Sequence, residues 1–157
     1  MGQILYFAYG ADMRRDVFEK RCSGADWLGL ARLEDHRFVI GPHGLANIQP
    51  RRGEQMWGVL WFVPAGALAA LDTLAGVGEG LCERTTRRII SPAGPRTEAM
   101  LYLTGKVGEG EATADYLDAV LVGARDSKLP ATYLAELETW VGKRAALIPE
   151  KRPKDSR

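Results

Sequence analysis

The sequence has few of the residues that build metal sites and disulfide frameworks: two cysteines and two histidines among 157 residues. Cys22 and Cys82 have no cysteine or histidine close to them in the sequence, so we expect two reduced, buried thiols. His36 and His43 each stand alone, and we expect structural or solvent-exposed roles for both. These observations predict a protein without a metal centre.

Long hydrophobic runs and an excess of charge of one sign are also missing. No apolar stretch approaches the roughly 20 residues that a membrane-spanning helix needs, and residues 1–4 have no basic segment typical of a signal peptide. Lys plus Arg is 21 and Asp plus Glu is 20, a formal net charge of +1. A chain so balanced has no overall field that attracts nucleic acid or an anionic membrane. We therefore expect a cytoplasmic protein with neither partner.

What is present fits one compact domain. The composition is 46% hydrophobic and 26% charged, as in ordinary globular proteins. Strands dominate the first two thirds of the predicted elements and helices the last third, which favours an α+β fold. We expect the domain to cover residues 1–142, with a basic, partly disordered tail over residues 143–157. The sequence carries no signal for the oligomeric state.

Apolar, aromatic and β-branched segments predict the strands. The first runs from Gln3 to Tyr9 and stops at Gly10. The other predicted strands are Asp26 to Leu33 and His36 to Ile40 as a hairpin, Leu45 to Ile48, Gln55 to Val63, and the pair Arg84 to Ile90 and Thr97 to Thr104.

Four helices are predicted from apolar spacing and end signals. They run from Asp12, as an N-cap, to about Glu19; from Pro64 to about Gly76; from Thr113 to Asp126; and from Pro130 to about Val141. In the second helix, Leu68, Leu71 and Leu74 recur at helical spacing and should form its buried face.

The joint between the first strand and the first helix is a candidate binding site. A glycine that follows a buried strand and precedes a helix leaves backbone amides free to hold an anion. Gly10 to Met13 has this arrangement, although many such joints bind nothing.

The segment Tyr6 to Met13 (YFAYGADM) resembles the Tyr-Phe-Ala-Tyr-Gly-Ser-Asn-Met opening of the gamma-glutamylcyclotransferase-like superfamily. Further segments resemble the family in the same order up to about residue 137. They include Ala46 to Pro50, Trp57 to Trp61, Leu71-Asp72 followed by Gly76-Val77, and Tyr116-Leu117.

This resemblance implies a small mixed β-barrel with flanking helices. It also implies that the α-amine of a gamma-glutamyl group attacks that group's own γ-carbonyl, which yields 5-oxoproline and a free amine without metal or cofactor. The expected ligand is a small gamma-glutamyl-type molecule. By resemblance, Tyr9, Gly10, Ala11, Asp12 and Tyr116 would bind it.

The sequence departs from the family where the general base is expected. Family members have a glutamate just before Gly-Val, and this chain has Ala75, whose methyl group cannot accept a proton. Three explanations are open: a binding module that lost catalysis, a base supplied from elsewhere, or an engineered inactivation. Glu79, in a glycine-flanked loop, is the candidate replacement base, although an exposed loop glutamate is the commoner role for such a residue.

Three further residues near the expected pocket have a structural and a functional interpretation. Asp12, where the family has asparagine, is interpreted as a helix N-cap whose charge would repel an anionic ligand. Tyr116 is either a ligand-binding hydroxyl or a core tyrosine. Cys82 could act as a nucleophile only beside a basic group.

Overall fold

A computed structural model describes residues 2–91 and 94–147 of the chain. The strands are β1 (Gln3–Ala8), β2 (Asp26–Ile40), β3 (Ala46–Pro64), β4 (Glu83–Ser91) and β5 (Gly94–Leu103). The helices are α1 (Arg15–Arg21), α2 (Leu68–Ala75), α3 (Ala114–Asp126) and α4 (Ala131–Leu147), and short 3-10 turns form at Ala11–Met13, Ala65–Ala67 and Val77–Glu79. No helix in this part of the chain combines the length and apolar character needed to cross a membrane.

The five strands close into a barrel in the order β1-β3-β2-β4-β5. Neighbouring strands are antiparallel except β1 and β5, which run parallel and close the barrel where Tyr6 pairs with Met100. The combination of a mixed barrel and packed helices confirms the predicted α+β class. Closure also protects the strand edges that an open sheet would expose.

The two longest strands correct the sequence interpretation. The predicted hairpin between Asp26–Leu33 and His36–Ile40 is wrong, because both segments belong to β2 and pair with β3. The register shifts between Glu34 and His36, and Asp35 has a φ of 61°. A bulge at Asp35 bends a continuous strand. In the sequence, this bulge resembles a turn between two strands. The predicted strands Leu45–Ile48 and Gln55–Val63 are likewise parts of one strand, β3.

Helix α2 also differs from its predicted packing. Leu71 is buried, but Leu74 is 61% exposed and Leu68 is only partly buried. The helix is two turns long and ends at Gly76, which adopts the left-handed conformation with φ 79°. So short a helix presents one residue, rather than a stripe of three, to the barrel.

Helix α3 packs beside the Gly10 turn, and α4 packs against α3. Helix α3 begins after Thr113, whose hydroxyl accepts a bond from the Tyr116 amide at 3.1 Å. Helix α4 continues to Leu147, and its Trp140 packs edge-on against Phe38 with ring centroids 6.2 Å apart. The predicted basic tail lies largely outside the described residues, since those end at Leu147, so the boundary at residue 142 stays a prediction.

Aromatic side chains fill the barrel end near the first turn. Trp61, Phe7 and Phe18 are fully buried, and the rings of Phe18 and Trp61 lie 4.6 Å apart. Fully burying a side chain of this kind stabilises the fold by roughly 2–3 kcal/mol. The same cluster supports the loop that follows β1, because Phe18 also contacts the Tyr6 ring at 5.8 Å.

Candidate active site

A cavity of about 230 Å³ opens where β1 ends and the chain turns into α1. Its walls come from the end of the barrel, from α2 and from α3. The lining residues are Tyr6, Phe7, Tyr9, Gly10, Ala11, Asp12, Arg21, Leu45, Ala46, Leu71, Leu74, Ala75, Cys82, Tyr102 and Tyr116. The cavity thus brings together all five predicted binding residues and Ala75. Their role in binding stays a prediction.

Close backbone packing holds the turn after β1 in place. A side-chain carbon at Gly58 would lie 2.4 Å from the Ala8 oxygen, so only glycine lets β3 approach the end of β1. Trp61 Nε1 donates to the backbone oxygen of Asp12 at 3.1 Å. The amide of Met13 bonds the Gly10 oxygen at 3.1 Å. The turn is therefore a fixed part of the barrel end.

Asp12 is not the N-cap that the sequence predicted. Helix α1 begins two residues after the 3-10 turn, and Arg14 occupies its N-cap position. The Asp12 side chain instead accepts a bond from the Tyr6 hydroxyl at Oδ2, 2.7 Å, and one from Arg21 at Oδ1, 2.9 Å. The intervening 3-10 turn aims the carboxylate at the cavity instead of at the helix.

The electrostatics of Asp12 reflect its partly closed surroundings. Burial raises the pKa of the Asp12 carboxyl, while the Tyr6 hydroxyl and the Arg21 guanidinium lower it, and burial is the larger effect. Burial, followed by the Asp12 charge, also raises the pKa of Tyr6 well above its ordinary value. Tyr6 therefore stays a neutral hydrogen-bond donor. The expected repulsion of anions by Asp12 is reduced, because Arg21 pairs with it.

Tyr116 projects from α3 directly onto the Gly10 turn. Its hydroxyl accepts a bond from the Ala46 amide at 3.0 Å, and a side-chain carbon at Gly10 would lie 2.9 Å from the same oxygen. Burial raises the pKa of Tyr116 to about 12. The phenol is thus neutral at physiological pH, and its proton can be donated to a ligand oxygen in the cavity.

Two more tyrosines connect the cavity wall to the barrel and to α2. The Tyr9 hydroxyl donates to the backbone oxygen of Tyr102. The Tyr102 hydroxyl donates to Asp72 Oδ1 at 2.7 Å, and Arg84 approaches the same carboxylate oxygen at 3.3 Å. Asp72 on α2 is thus occupied in holding that helix to the barrel.

The wall formed by α2 and the loop after it offers small and apolar groups. Ala75 is partly buried in the cavity lining, and Leu74 stands exposed beside it. Glu79, the predicted substitute base, is exposed and is not among the lining residues. It lies on the 3-10 turn Val77–Glu79, which is followed by Gly80 in the left-handed conformation with φ 76°. The catalytic role of Glu79 stays a prediction.

The remaining candidates add no reactive group. Cys82 lines the cavity, but burial raises the pKa of its thiol, which keeps it protonated and a weak nucleophile. His36 and His43 lie outside the lining. Within residues 2–91 and 94–147, no three His, Cys, Asp or Glu side chains are grouped to hold a metal ion. That the protein needs no cofactor stays a prediction.

Sequence reasoning missed Arg21 and Tyr6 as members of this site. Arg21 follows Asp12 by nine residues and reaches back to it only because α1 is a short helix after a turn. Tyr6 is in the motif that carries the family resemblance, but its position in a buried strand suggested a core role. Neither residue can be assigned to the site from the sequence, because the assignment depends on the direction of the Asp12 carboxylate.

Known proteins resemble this chain in both sequence and fold. The family described as AIG2-like matches residues 55–137, and the chain belongs to that family. Human gamma-glutamylcyclotransferase is 26% identical over 145 residues, which cover 86% of this chain and 77% of the human protein. The mouse protein of the same name is 25% identical, with the same coverage.

Solved structures agree with these sequence relatives. A protein described as a gamma-glutamyl cyclotransferase superposes with a TM-score of 0.80 at 25% identity, covering 87% of this chain and 86% of that one. A crystal structure of a human protein described as uncharacterized has a TM-score of 0.81 at 26% identity and covers 88% of both chains. The resemblance to the gamma-glutamylcyclotransferase superfamily, and the barrel fold it implies, are confirmed.

Proposed function

We propose that this protein binds a small gamma-glutamyl amide or amine in the Gly10 cavity and cyclises it to 5-oxoproline, with release of the amine. The observation that carries the proposal is the cavity itself, which unites Tyr9, Gly10, Ala11 and Asp12 of the family motif with Tyr116. Its volume of about 230 Å³ is below the roughly 300–1,000 Å³ typical of drug-sized ligands. A compound of amino-acid size suits such a space.

The geometry supports the positioning that this reaction needs. Cyclisation joins two ends of one molecule, so a pocket that holds the folded form removes much of the entropic barrier. The Gly10 turn is fixed by Trp61 and by the close approach of Gly58, and Tyr116 reaches it from α3. Three separate elements thus define one rigid surface. The proton acceptor is the part of the chemistry that Ala75 leaves unassigned.

A second candidate function is binding without turnover. The observation that favours it is Ala75, which lines the cavity where the family resemblance leads us to expect a glutamate. A protein that kept the pocket and lost the base would hold the same ligands and release no product. The two functions differ only in catalysis, so one assay separates them.

The test measures release of 5-oxoproline from a panel of gamma-glutamyl compounds by chromatography, with binding followed by calorimetry. The proposal expects release from at least one compound by the unchanged protein. Binding without release, together with release by Ala75→Glu, would instead establish the binding module. Absence of both binding and release across the panel would overturn the two functions together. Glu79→Gln belongs in the same assay, because a substitute base at that position predicts that release is lost.

A further inference from the structure

The Asp12 carboxylate is held inside the cavity by side chains from two different elements. Resting on the proposed function, we infer that Asp12 receives the α-ammonium group of the ligand and accepts its proton. The carboxylate would thereby supply, on the Gly10 side of the cavity, the negative charge that position 75 lacks. The inference assigns a charge-selecting role to a residue that the sequence suggested was a helix cap.

The distribution of charge in the cavity is the first support. Among the lining residues that the structure describes, Asp12 is the one carboxylate and Arg21 the one cation. The nearby acid Asp72 is bound by Tyr102 and Arg84. An ammonium group in this cavity therefore finds its counter-charge at Asp12.

The orientation of the carboxylate is the second support. Tyr6 donates to Oδ2 and Arg21 donates to Oδ1, so each oxygen has one anchoring bond. A carboxylate oxygen has two lone-pair directions, which leaves one on each oxygen for a ligand. The Asp12 side chain is 22% exposed, and it lines the cavity, so a ligand bound there can reach the carboxylate.

The energetics of the site are the third support. Arg21, with a side chain 40% exposed, compensates only part of the cost of keeping Asp12 charged, because burial still raises the pKa of the carboxyl. A bound ammonium would add the second positive neighbour and favour the ionised form. A charged hydrogen bond in a partly closed site is stronger than one in water, so the ligand's amine should contribute strongly to affinity.

The proton balance of the reaction is consistent with this role. Asp12 would take one proton from the α-ammonium, and the resulting amine would form a C–N bond to the γ-carbonyl carbon. The original γ-amide C–N bond then breaks, and Asp12 returns its proton to the departing nitrogen. The second proton that the attacking nitrogen loses leaves with the product amine as its ammonium form. No water, oxidant or metal enters the balance.

The test uses a ligand pair that cannot cyclise and differs only in the amine. L-methionine sulfone copies a gamma-glutamyl skeleton, with a sulfone in place of the reactive carbonyl, and 4-(methylsulfonyl)butanoate is the same molecule without the ammonium. Calorimetry on the full chain gives the ratio of the two affinities. We expect the unchanged protein to favour the amine by about 10-fold to 100-fold. Asp12→Asn should reduce that ratio to near 1.

Two variants serve as controls. Asp16→Asn removes a carboxylate from the same helix region, paired with Arg14 at 3.1 Å and outside the cavity lining, and should keep the full ratio. Asp12→Glu keeps the charge and should retain a preference for the amine. Thermal melting of each variant reports whether it is folded. If Asp12→Asn fails to fold, the unchanged protein still tests the inference, because a ratio near 1 would overturn it.

The outcomes separate the inference from the proposed function. A ratio that persists in Asp12→Asn, or a ratio near 1 in the unchanged protein, overturns the inference and leaves binding intact. Binding of neither compound, with no 5-oxoproline released from any gamma-glutamyl compound of the panel, overturns the proposed function and the inference with it. Release lost in Glu79→Gln but kept in Asp12→Asn would transfer the proton-accepting role to Glu79.

Discussion

The two walls of the cavity are built in different ways. On the Gly10 side, Tyr6, Asp12 and Tyr116 are joined by hydrogen bonds to one another, to Arg21 or to the backbone, and both tyrosines pack against the barrel core. On the α2 side, the helix contributes Leu71, Leu74 and Ala75 to the lining, none of which has a polar side-chain atom. The polar chemistry of the site thus lies almost wholly on the first wall.

The difference between the two walls indicates where the fold should tolerate substitutions without losing stability. On the Gly10 wall, Tyr6 belongs to the strand pair that closes the barrel and Tyr116 packs against the core, so a substitution of either tyrosine should disturb packing as well as the site. The α2 wall is a two-turn helix and an exposed loop, with one buried leucine, Leu71. We therefore expect a change of residue at position 75 to cost little stability. Loops and short elements on a rigid scaffold commonly have this freedom.

The largest expected difference between the two walls is in stability. Gly123→Ala adds a carbon to α3 that would lie 2.7 Å from the Arg14 amide and 2.8 Å from the Met13 carbonyl carbon. Alanine usually stabilises a helix relative to glycine, but this contact is with backbone at the base of the Gly10 wall. We expect the free energy of unfolding to fall by about 2–3 kcal/mol, measured by chemical denaturation.

Gly78→Ala is the matched control on the α2 wall. A side-chain carbon there has no atom within 4 Å, and Gly78 is not in the left-handed conformation. Its stability should stay within about 0.5 kcal/mol of the unchanged protein. Equal destabilisation by both substitutions would remove the contrast between a packed wall and an adaptable one.

A smaller effect is expected from removing single hydroxyl groups. Tyr116→Phe leaves the Ala46 amide without its acceptor at the packed wall, and should reduce stability by about 1–2 kcal/mol. Tyr102→Phe breaks a bond to Asp72, which keeps Arg84 as a partner, and should cost less. Thermal melting of both variants tests the order. A larger loss from Tyr102→Phe would show that the α2 wall is the more tightly held.

The smallest expected effect concerns the charge of Asp12. Burial raises the folded-state pKa of Asp12. The contribution of Asp12 to the free energy of unfolding is therefore fully present below the unfolded pKa of about 4. It is lost as pH rises through the folded pKa. Asp12→Asn should therefore melt slightly higher than the unchanged protein at pH 7, by a few degrees at most. That advantage should shrink as pH approaches 4, because Asp12 is then protonated. A variant less stable at pH 7 would show that the Arg21 pair outweighs burial.

Local patterns predicted much of the framework correctly. The first strand, the β4–β5 pair and the Thr113 start of α3 all appear close to where apolar alternation and end signals place them. Tyr9, Gly10, Ala11 and Asp12 of the opening motif line one cavity, and their role in binding stays a prediction. These features depend on neighbouring residues, so the sequence alone contains the information for them.

The direction of the critical side chains depended on tertiary contacts. The sequence pattern predicts two strands where the structure has the single strand β2, because a bulge at Asp35 resembles a turn in the local sequence. The sequence predicts a helix cap at Asp12, because only the folded chain places Tyr6 and Arg21 beside its two carboxylate oxygens.

Sequence alone thus determined the family, the barrel-with-helices class and the absence of a carboxylate at Ala75, since these follow from residue identity and order. Only the tertiary structure decided that Glu79 is exposed and that Asp12 lines the cavity. The physical reason is that a side chain's direction is set by backbone conformation and by partners distant in sequence. For Asp12, one such partner is Trp61, which donates a hydrogen bond to the Asp12 backbone oxygen.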